Sequence, residues 1–238
     1  MVPYVAAALA AILFAQAVVK LRRRGRADLA GWDRITLFAS GLAITLVALV
    51  GPLDRLADDQ LLSAHMAQHV LIGDLAPALM MVALRGPLLV FFLPPPIVAP
   101  VSRLLHGLSL RVAFVLWAAN LAIWHVPYLY DLALKHQTLH DFEHLCWVVF
   151  GLLVWSLLVD RRLTIGRRLA LATAMFAAGQ VLTDVLVFSF HSFYPAYHDV
   201  RDQQWAGLVM MGEQLLTLGT LAVVLLRPRL RHVRLAHA

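Results

Sequence analysis

Residues 61–84 read LLSAHMAQHVLIGDLAPALMMVAL, an apolar stretch long enough to cross a membrane as one helix. The stretch opens with two histidines, His65 and His69, four residues apart. Residues with this spacing lie on the same side of an α-helix, about 6 Å apart along its axis. Imidazole is a neutral ligand for copper, zinc, iron and nickel, so this pair could hold a metal ion or brace a cofactor.

A second pair, His140 and His144, opens a later apolar stretch within the segment HDFEH. Metal-bound imidazoles need acceptor groups on their second nitrogens. Gln68, Asp141 and Glu143 are of suitable type and within helical reach, so we expect them to support the four ligands.

His125 precedes Val126-Pro127, where the proline predicts the end of a helix. We treat it as a possible fifth imidazole of the same site, with a hydrogen-bonding helix end as the alternative. Met66 and Met210 could add thioether ligands, although methionine in an apolar helix usually serves packing.

The composition indicates an integral membrane protein and argues against nucleic-acid binding. The chain has 238 residues, 61% of them hydrophobic and 14% charged, with mean hydropathy +0.76. Its net charge of +6 comes from basic clusters between apolar stretches, as orientation signals do. A single cysteine, Cys146, excludes an intrachain disulfide and a thiolate metal cluster.

Seven apolar stretches predict a single all-α membrane domain over 1–238, a seven-helix bundle. Their approximate bounds are 3–20, 35–52, 61–84, 109–126, 139–159, 168–190 and 203–226. The proline-rich run 94–100 is predicted to be a connector or a shallow re-entrant turn. Of the 20 Lys and Arg residues, 17 follow the first, third and fifth stretches or lie in the C-terminal tail, which predicts that the N-terminus lies outside and the C-terminus in the cytoplasm.

On this map most of the histidines gather at one membrane face. Those predicted at or near the outer ends are His65, His69, His125, His136, His140, His144, His191 and His198. The other three, His106, His232 and His237, are predicted on the cytoplasmic side. Histidines scattered at helix ends would not explain two pairs with i,i+4 spacing on separate helices, so we favour a ligand site.

Two other histidine chemistries fit the pattern. A bis-histidine haem would need imidazoles facing each other across the bundle, which the two pairs could supply. The segment from His140 to His144 also matches the inverted His-x-x-Glu-His pattern of zinc hydrolases, in which Glu143 could activate a zinc-bound water.

Three acids lie deeper in the apolar stretches: Asp74, Asp184 and Glu213. No Lys or Arg is available to pair with them, so they form a possible intramembrane relay, or neutral acids that tie helices together. Asp184 shares a helical stripe with Thr173, Gln180 and His191, which predicts that this stripe faces the bundle interior.

The same residues resemble the membrane-integral CtaG family of cytochrome c oxidase assembly factors, associated with caa-type oxidases. The matching segments, in order, are HMAQH at 65–69 with Ala76-Pro77 and Gly86-Pro87, then WHVPYLYD at 124–131, HDFEH at 140–144 with Trp155, and DQQWAGLVM at 202–210.

The resemblance implies a non-enzymatic protein that helps to deliver copper to a haem–copper oxidase. The expected ion is copper, most plausibly Cu(I), with haem or zinc as alternatives. The expected partners are oxidase subunits, the lipid bilayer and a periplasmic copper donor, and the expected location is a bacterial inner membrane with the N-terminus in the periplasm. From the histidine positions we expect a site between the third, fourth and fifth stretches, closed by the loop before the seventh.

Overall fold

A computed structural model describes the backbone of residues 2–59 and 61–236, and the side chains of these residues except those of 58, 59, 106 and 228–236. His237 and the side chains of His106 and His232 therefore lie outside the described residues. Within them the fold is all-helical and contains no strand.

Eleven helices occur in the described chain, several of them short connectors. They are α1 (Val2–Arg23), α2 (Trp32–Val50), α3 (Pro52–Asp59), α4 (Leu62–Leu84), α5 (Pro87–Phe92), α6 (Pro95–Gly107), α7 (Leu110–Trp124), α8 (Pro127–Lys135), α9 (Gln137–Leu158), α10 (Ile165–Phe188) and α11 (Val200–Ala236).

Six stretches of the described chain are helical, long and apolar enough to span a membrane, and they coincide with six of the seven predicted spans. The fourth prediction corresponds to α7, which has 15 residues and a length of about 22 Å, short of a bilayer core of about 30 Å. It reaches a seventh span only together with α6, across a bend of 100°. The proline-rich run, predicted to be a connector or a shallow re-entrant turn, lies in the first turns of α6, because proline is favoured at the start of a helix, and the bend between α6 and α7 is compatible with a re-entrant turn.

Helix α4 is the centre of the bundle. Two thirds of its span is buried, against 17–44% in the other five spans. It packs against α2, α3, α9 and α11. Asp202 of α11 accepts hydrogen bonds from the backbone N–H groups of Leu62 and Ser63 and from the Ser63 hydroxyl. The start of α4 is therefore capped by a carboxylate from a neighbouring helix rather than by a residue of its own.

A π turn at Leu71–Leu75 interrupts α4 where it meets α9. Pro77 lacks an N–H group and its ring crowds the carbonyl of Gly73, four residues earlier, which accounts for the wider turn. On α9, a Cβ atom at Gly151 would lie 2.9 Å from both the Gly73 carbonyl carbon and Cγ of Pro77. Only glycine allows the two helices to come this close, and this contact sets their register.

Arginines gather where α4 and α9 end, which we call the arginine end; the opposite end, where both helices begin, is the histidine end. Arg34 of α2 donates to the carbonyl oxygens of Ala83 and Arg85, at 3.3 and 2.7 Å. Arg168 of α10 donates to the carbonyl oxygen of Leu158. These guanidinium groups satisfy carbonyls that the last helical turns leave unpaired.

Candidate metal centre

The two histidine pairs meet at the histidine end, because α4 and α9 begin side by side. The ring centroids of His65 and His69 are 4.3 Å apart, and those of His140 and His144 are 4.2 Å apart. Between helices, His65 lies 5.3 Å from His140, and His69 lies 5.4 Å from His144. All four side chains are buried. The structure thus brings the four predicted imidazoles into one cluster.

Four side chains of this cluster can offer atoms to a single ion. They are His65, His69, His140 and Glu143, whose potential ligand atoms all lie within 4.8 Å of one another. Ligands held about 2.0–2.1 Å from a tetrahedral ion are about 3.3 Å apart. Side-chain adjustments of about 1 Å would therefore close the group around an ion, while His144 stands next to it as a further imidazole.

Several nitrogens of the cluster are buried without a hydrogen-bond partner. They include Nε2 of His65, both ring nitrogens of His69 and Nε2 of His144. The nearest charged group, Oε1 of Glu143, lies 3.6 Å from His69 Nε2, just beyond hydrogen-bond distance. Buried polar atoms are nearly always paired, so several orphans in one place mark a site made for a ligand. Lone pairs on neutral imidazoles are suited to a metal ion.

Glu143 enters the ligand group itself, whereas the sequence predicted a supporting role for it. The carboxylate is almost fully buried, 1% exposed, and its Oε1 accepts a bond of 3.5 Å from the indole N–H of Trp147. The Trp147 ring also packs against His69, with centroids 5.2 Å apart. A position three residues after His140 faces the same side of α9, so helical spacing allowed either role.

His125 is buried beside the cluster, and both of its nitrogens are engaged. Nδ1 donates to the carbonyl oxygen of Leu121 at 2.8 Å, which leaves the lone pair on Nε2. That lone pair faces the thioether sulfur of Met66 at 3.4 Å. The structure therefore places His125 outside the four-residue group and next to Met66. The ring nitrogen and the thioether sulfur, each with a lone pair, face each other.

Gln68 connects α4 with its neighbours. Its amide Nε2 donates to the backbone oxygen of Ala48 at 2.9 Å and to Oδ1 of Asp54 at 2.8 Å. Asp54, on the connector α3, lies within electrostatic reach of His140, and burial raises the pKa of its carboxyl above the ordinary value. Sequence reasoning missed Asp54 because α3 is a short polar segment between two spans.

Four other predicted groups lie on the surface near this end. Asp141 is exposed and accepts a 2.9 Å bond from the side chain of Gln137, instead of facing an imidazole. His136, His191 and His198 are exposed as well. Among the described histidines of this end, those of the two helical pairs and His125 are thus buried, and the others lie exposed in loops.

Tyrosines cover the cluster. The hydroxyl of Tyr197 donates to the backbone oxygen of Ala57 and lies 3.4 Å from Nδ1 of His65. Tyr194 donates to the backbone oxygen of His125 at 3.2 Å. The Tyr130 ring stands 5.0 Å from His65, and its buried hydroxyl has no partner among the described residues. The sequence predicted the covering loop but not these aromatic rings.

The covering loop, residues 189–199, is held by α11. The Gln203 amide oxygen accepts from the backbone N–H of Phe193 at 2.8 Å, and its nitrogen donates to the His191 carbonyl at 3.2 Å. Gln203 is fully buried. The run Asp202-Gln203-Gln204 therefore fixes the start of α4 and the loop over the site.

Two of the three deep acids meet one helical turn or more below the cluster. Asp74 accepts from the indole N–H of Trp155 and from the Thr217 hydroxyl at 3.3 Å. The Glu213 carboxyl faces Asp74, although neither of its oxygens reaches hydrogen-bond distance of a described partner. The packing of α4 against α11 therefore brings these two buried carboxyls together.

The third acid, Asp184, is not brought to this pair. It is exposed on α10 and accepts a 2.7 Å bond from the side chain of Gln180. Thr173 and His191 are exposed too, so the stripe predicted to face the interior faces outward. Helical spacing groups these residues correctly on one side but does not identify which side is buried, and the small residues of the opposite side pack instead.

Comparison with known proteins identifies a family that this chain matches. The family described as cytochrome c oxidase caa3 assembly factor (Caa3_CtaG) matches residues 12–232. The match includes all four clustered histidines, Glu143 and Asp202. No curated protein and no solved structure matches the chain significantly. Since the match spans nearly the whole chain and confirms the resemblance of its motifs, the chain belongs to the family of cytochrome c oxidase caa3 assembly factors.

Proposed function

We propose that this assembly factor binds copper, as Cu(I), at the histidine end and passes it to a subunit of the oxidase. The observation that carries the proposal is the convergence of His65, His69, His140 and Glu143, together with buried nitrogens of His65 and His69 that have no hydrogen-bond partner among the described residues. Family membership points to the oxidase as the protein that receives the ion. The imidazole ligands point to copper as the ion.

The ligand set favours a copper ion that can leave. Three imidazoles can hold Cu(I) in a plane, and the Glu143 oxygen, a harder ligand, can stay outside this set or complete it. A structural metal site would be closed by four strong ligands. An incomplete ligand set leaves a coordination position to which the protein that donates the ion, or the one that accepts it, can contribute a ligand. Such a set suits a transfer protein better than a closed site does.

The Met66–His125 pair supports copper over zinc. Thioether sulfur is a soft ligand that selects Cu(I), and the Met66 sulfur lies 3.4 Å from a ring nitrogen that carries a lone pair. We assign this pair as a second resting place for Cu(I) during transfer. In a Met66→Leu variant, Cu(I) binding should weaken while zinc binding stays unchanged.

The proposed side of the membrane is the periplasm. Arg34, Arg85 and Arg168 lie at the arginine end. Because basic residues are retained on the cytoplasmic side of a membrane, this end would face the cytoplasm. The histidine end would then face the periplasm, where a copper donor and the oxidase could both reach it. The bilayer is the inner membrane in this proposal.

Elemental analysis with an optical spectrum tests the site. Protein purified from copper-supplied cells should contain copper, and His65→Ala/His69→Ala should lose most of it. The matched control is His191→Ala/His198→Ala, which removes two exposed histidines of the same end and should keep its copper. Equal copper in the wild type and in the His65/His69 variant would refute the assignment.

The same samples separate the alternatives. A bis-histidine haem would give a Soret band and would need room for a porphyrin between two imidazoles, whereas the rings of His65 and His140 stack with their centroids 5.3 Å apart. A zinc hydrolase would co-purify with zinc, and Glu143→Gln would stop turnover with zinc still bound. Neither signature is expected for a copper carrier.

Delivery needs a test in cells. In a strain that lacks this protein, the copper content and activity of the oxidase should fall, and the wild-type chain should restore both. The His65→Ala/His69→Ala variant should reach the membrane but fail to restore them. Full restoration by this variant would show that the role of the protein in oxidase assembly does not depend on copper binding at His65 and His69.

A further inference from the structure

A cavity at the arginine end, far from the histidine cluster, combines basic and apolar walls. It has a volume of about 490 Å³ and lies between the end of α4, the connectors α5 and α6, and the end of α9. Its size is that of a small-molecule pocket. Leucine and valine side chains form much of its wall, and its polar part contains two serines together with four arginines and one aspartate: Arg34, Arg85, Arg161, Arg162 and Asp160.

Among the described residues, Arg162 alone of the four cavity arginines is in an ion pair, although Asp33 and Asp28 lie within electrostatic reach of Arg34. Asp160 is already paired with Arg162, at 2.7 Å. Arg34 lies close enough to Arg85 and Arg161 for their charges to repel. Arg85 also has a buried Nε without a hydrogen-bond partner. Three like charges around one cavity are unfavourable unless an anion joins them.

The Arg34 guanidinium is fixed in place before any ligand arrives. Its Nη1 donates to the carbonyl oxygens of Ala83 and Arg85, which holds the side chain across the end of α4. The other nitrogens of this guanidinium remain available for a second acceptor. Guanidinium groups bind phosphate oxygens through paired N–H donors, so a fixed arginine is a suitable anchor for phosphate.

We propose that this cavity binds a phosphate group, with the three arginines Arg34, Arg85 and Arg161 around it. The apolar wall beside the arginines suits the glycerol and upper acyl part of an anionic phospholipid, which is the phosphate that a membrane supplies. A free phosphate ion would use the same arginines but not the apolar wall. The site is independent of the proposed copper cluster.

Native mass spectrometry of the full chain in detergent tests the proposal. The probes are phosphatidylglycerol and phosphatidylcholine with identical acyl chains, and inorganic phosphate in a separate titration. The wild type should prefer phosphatidylglycerol. Arg85→Gln/Arg161→Gln should weaken that binding about fivefold for each arginine removed. The matched control is Arg227→Gln, an exposed arginine of the same end outside the cavity lining, which should bind like the wild type.

Each outcome decides the matter. Preference for phosphatidylglycerol that falls in the double variant supports the lipid as ligand. Binding of inorganic phosphate that falls in the same variant, without a lipid preference, supports a free phosphate in the same site. A wild type that binds neither probe overturns the proposal, as does a double variant that keeps its fold by thermal unfolding and loses no binding. The His65→Ala/His69→Ala variant should retain the lipid, which separates this site from the copper site.

Discussion

Replacing Gly151 with alanine would put a methyl group into the closest contact between α4 and α9. The added carbon would lie 2.9 Å from the Gly73 carbonyl carbon and from Cγ of Pro77, distances that real side chains do not adopt. The contact with the Gly73 carbonyl oxygen would be closer still, and backbone and a proline ring cannot swing aside, so the helices must separate by about 1 Å or more to reach ordinary contact. Overpacking of this kind costs about 1–3 kcal/mol.

The same separation would open the histidine cluster, because His65 and His69 stand on α4 while His140 and Glu143 stand on α9. We expect the affinity for copper to fall at least about tenfold, as it does when groups that orient a ligand are disturbed. Unlike a change to a ligand, Gly151→Ala leaves every donor atom of the site in the chain.

Gly212→Ala is the matched control. Gly212 is also in a helix, and a Cβ atom there meets nothing within 4 Å. Alanine favours a helix over glycine by about 0.5–1 kcal/mol, so this variant should be as stable as the wild type or more so. Thermal unfolding in detergent and a copper titration measure both effects. If Gly151→Ala and Gly212→Ala behave alike in both assays, the close approach of α4 and α9 does not set the site.

Three further variants test the contacts around the site. Asp202→Ala removes the carboxylate cap of α4 and should cost about 1–2 kcal/mol in thermal unfolding, whereas no change would show that water replaces the cap. Trp155→Phe removes a donor from the buried carboxylate of Asp74 and should cost about 1–3 kcal/mol, and an unchanged melting temperature would contradict that bond. Tyr197→Phe removes the hydroxyl beside His65 and should speed copper release to a chelator, at a cost of about 1–3 kcal/mol because the buried carbonyl oxygen of Ala57 loses its donor; an unchanged rate would exclude a gating role for the covering loop.

The sequence predicts the cluster because its signal is local. The spacing of His65 and His69, and of His140 and His144, fixes each pair on one side of its helix whatever the rest of the chain does. Because each pair lies at the start of an apolar stretch, both pairs are predicted to lie at the same depth in the membrane. The remaining step, the packing of α4 beside α9, depends on Gly73 and Gly151, whose fit is a property of two surfaces together.

The failures are cases in which the direction of a side chain depends on tertiary packing. Asp184 and Gln180 form a polar stripe, yet the stripe faces outward because the other side of α10 packs against α11. Glu143 was expected to support a ligand, and its position close to three imidazoles also allows it to be a ligand itself. Helical spacing gives the angle between two residues but not which neighbour each one meets.

The deep acids and the histidine cluster act as separate layers. Trp147 stands between them: its ring packs against His69 on one side, and a Cβ at Gly73, next to Asp74, would touch it on the other. A proton relay through the deep acids stays a prediction, since it needs a continuous chain of hydrogen-bonding groups. Asp74 bonds Trp155 of α9 and Thr217 of α11 to the middle of α4. This bonding joins the same helices that carry the histidine cluster, so the deep layer helps to hold them in register.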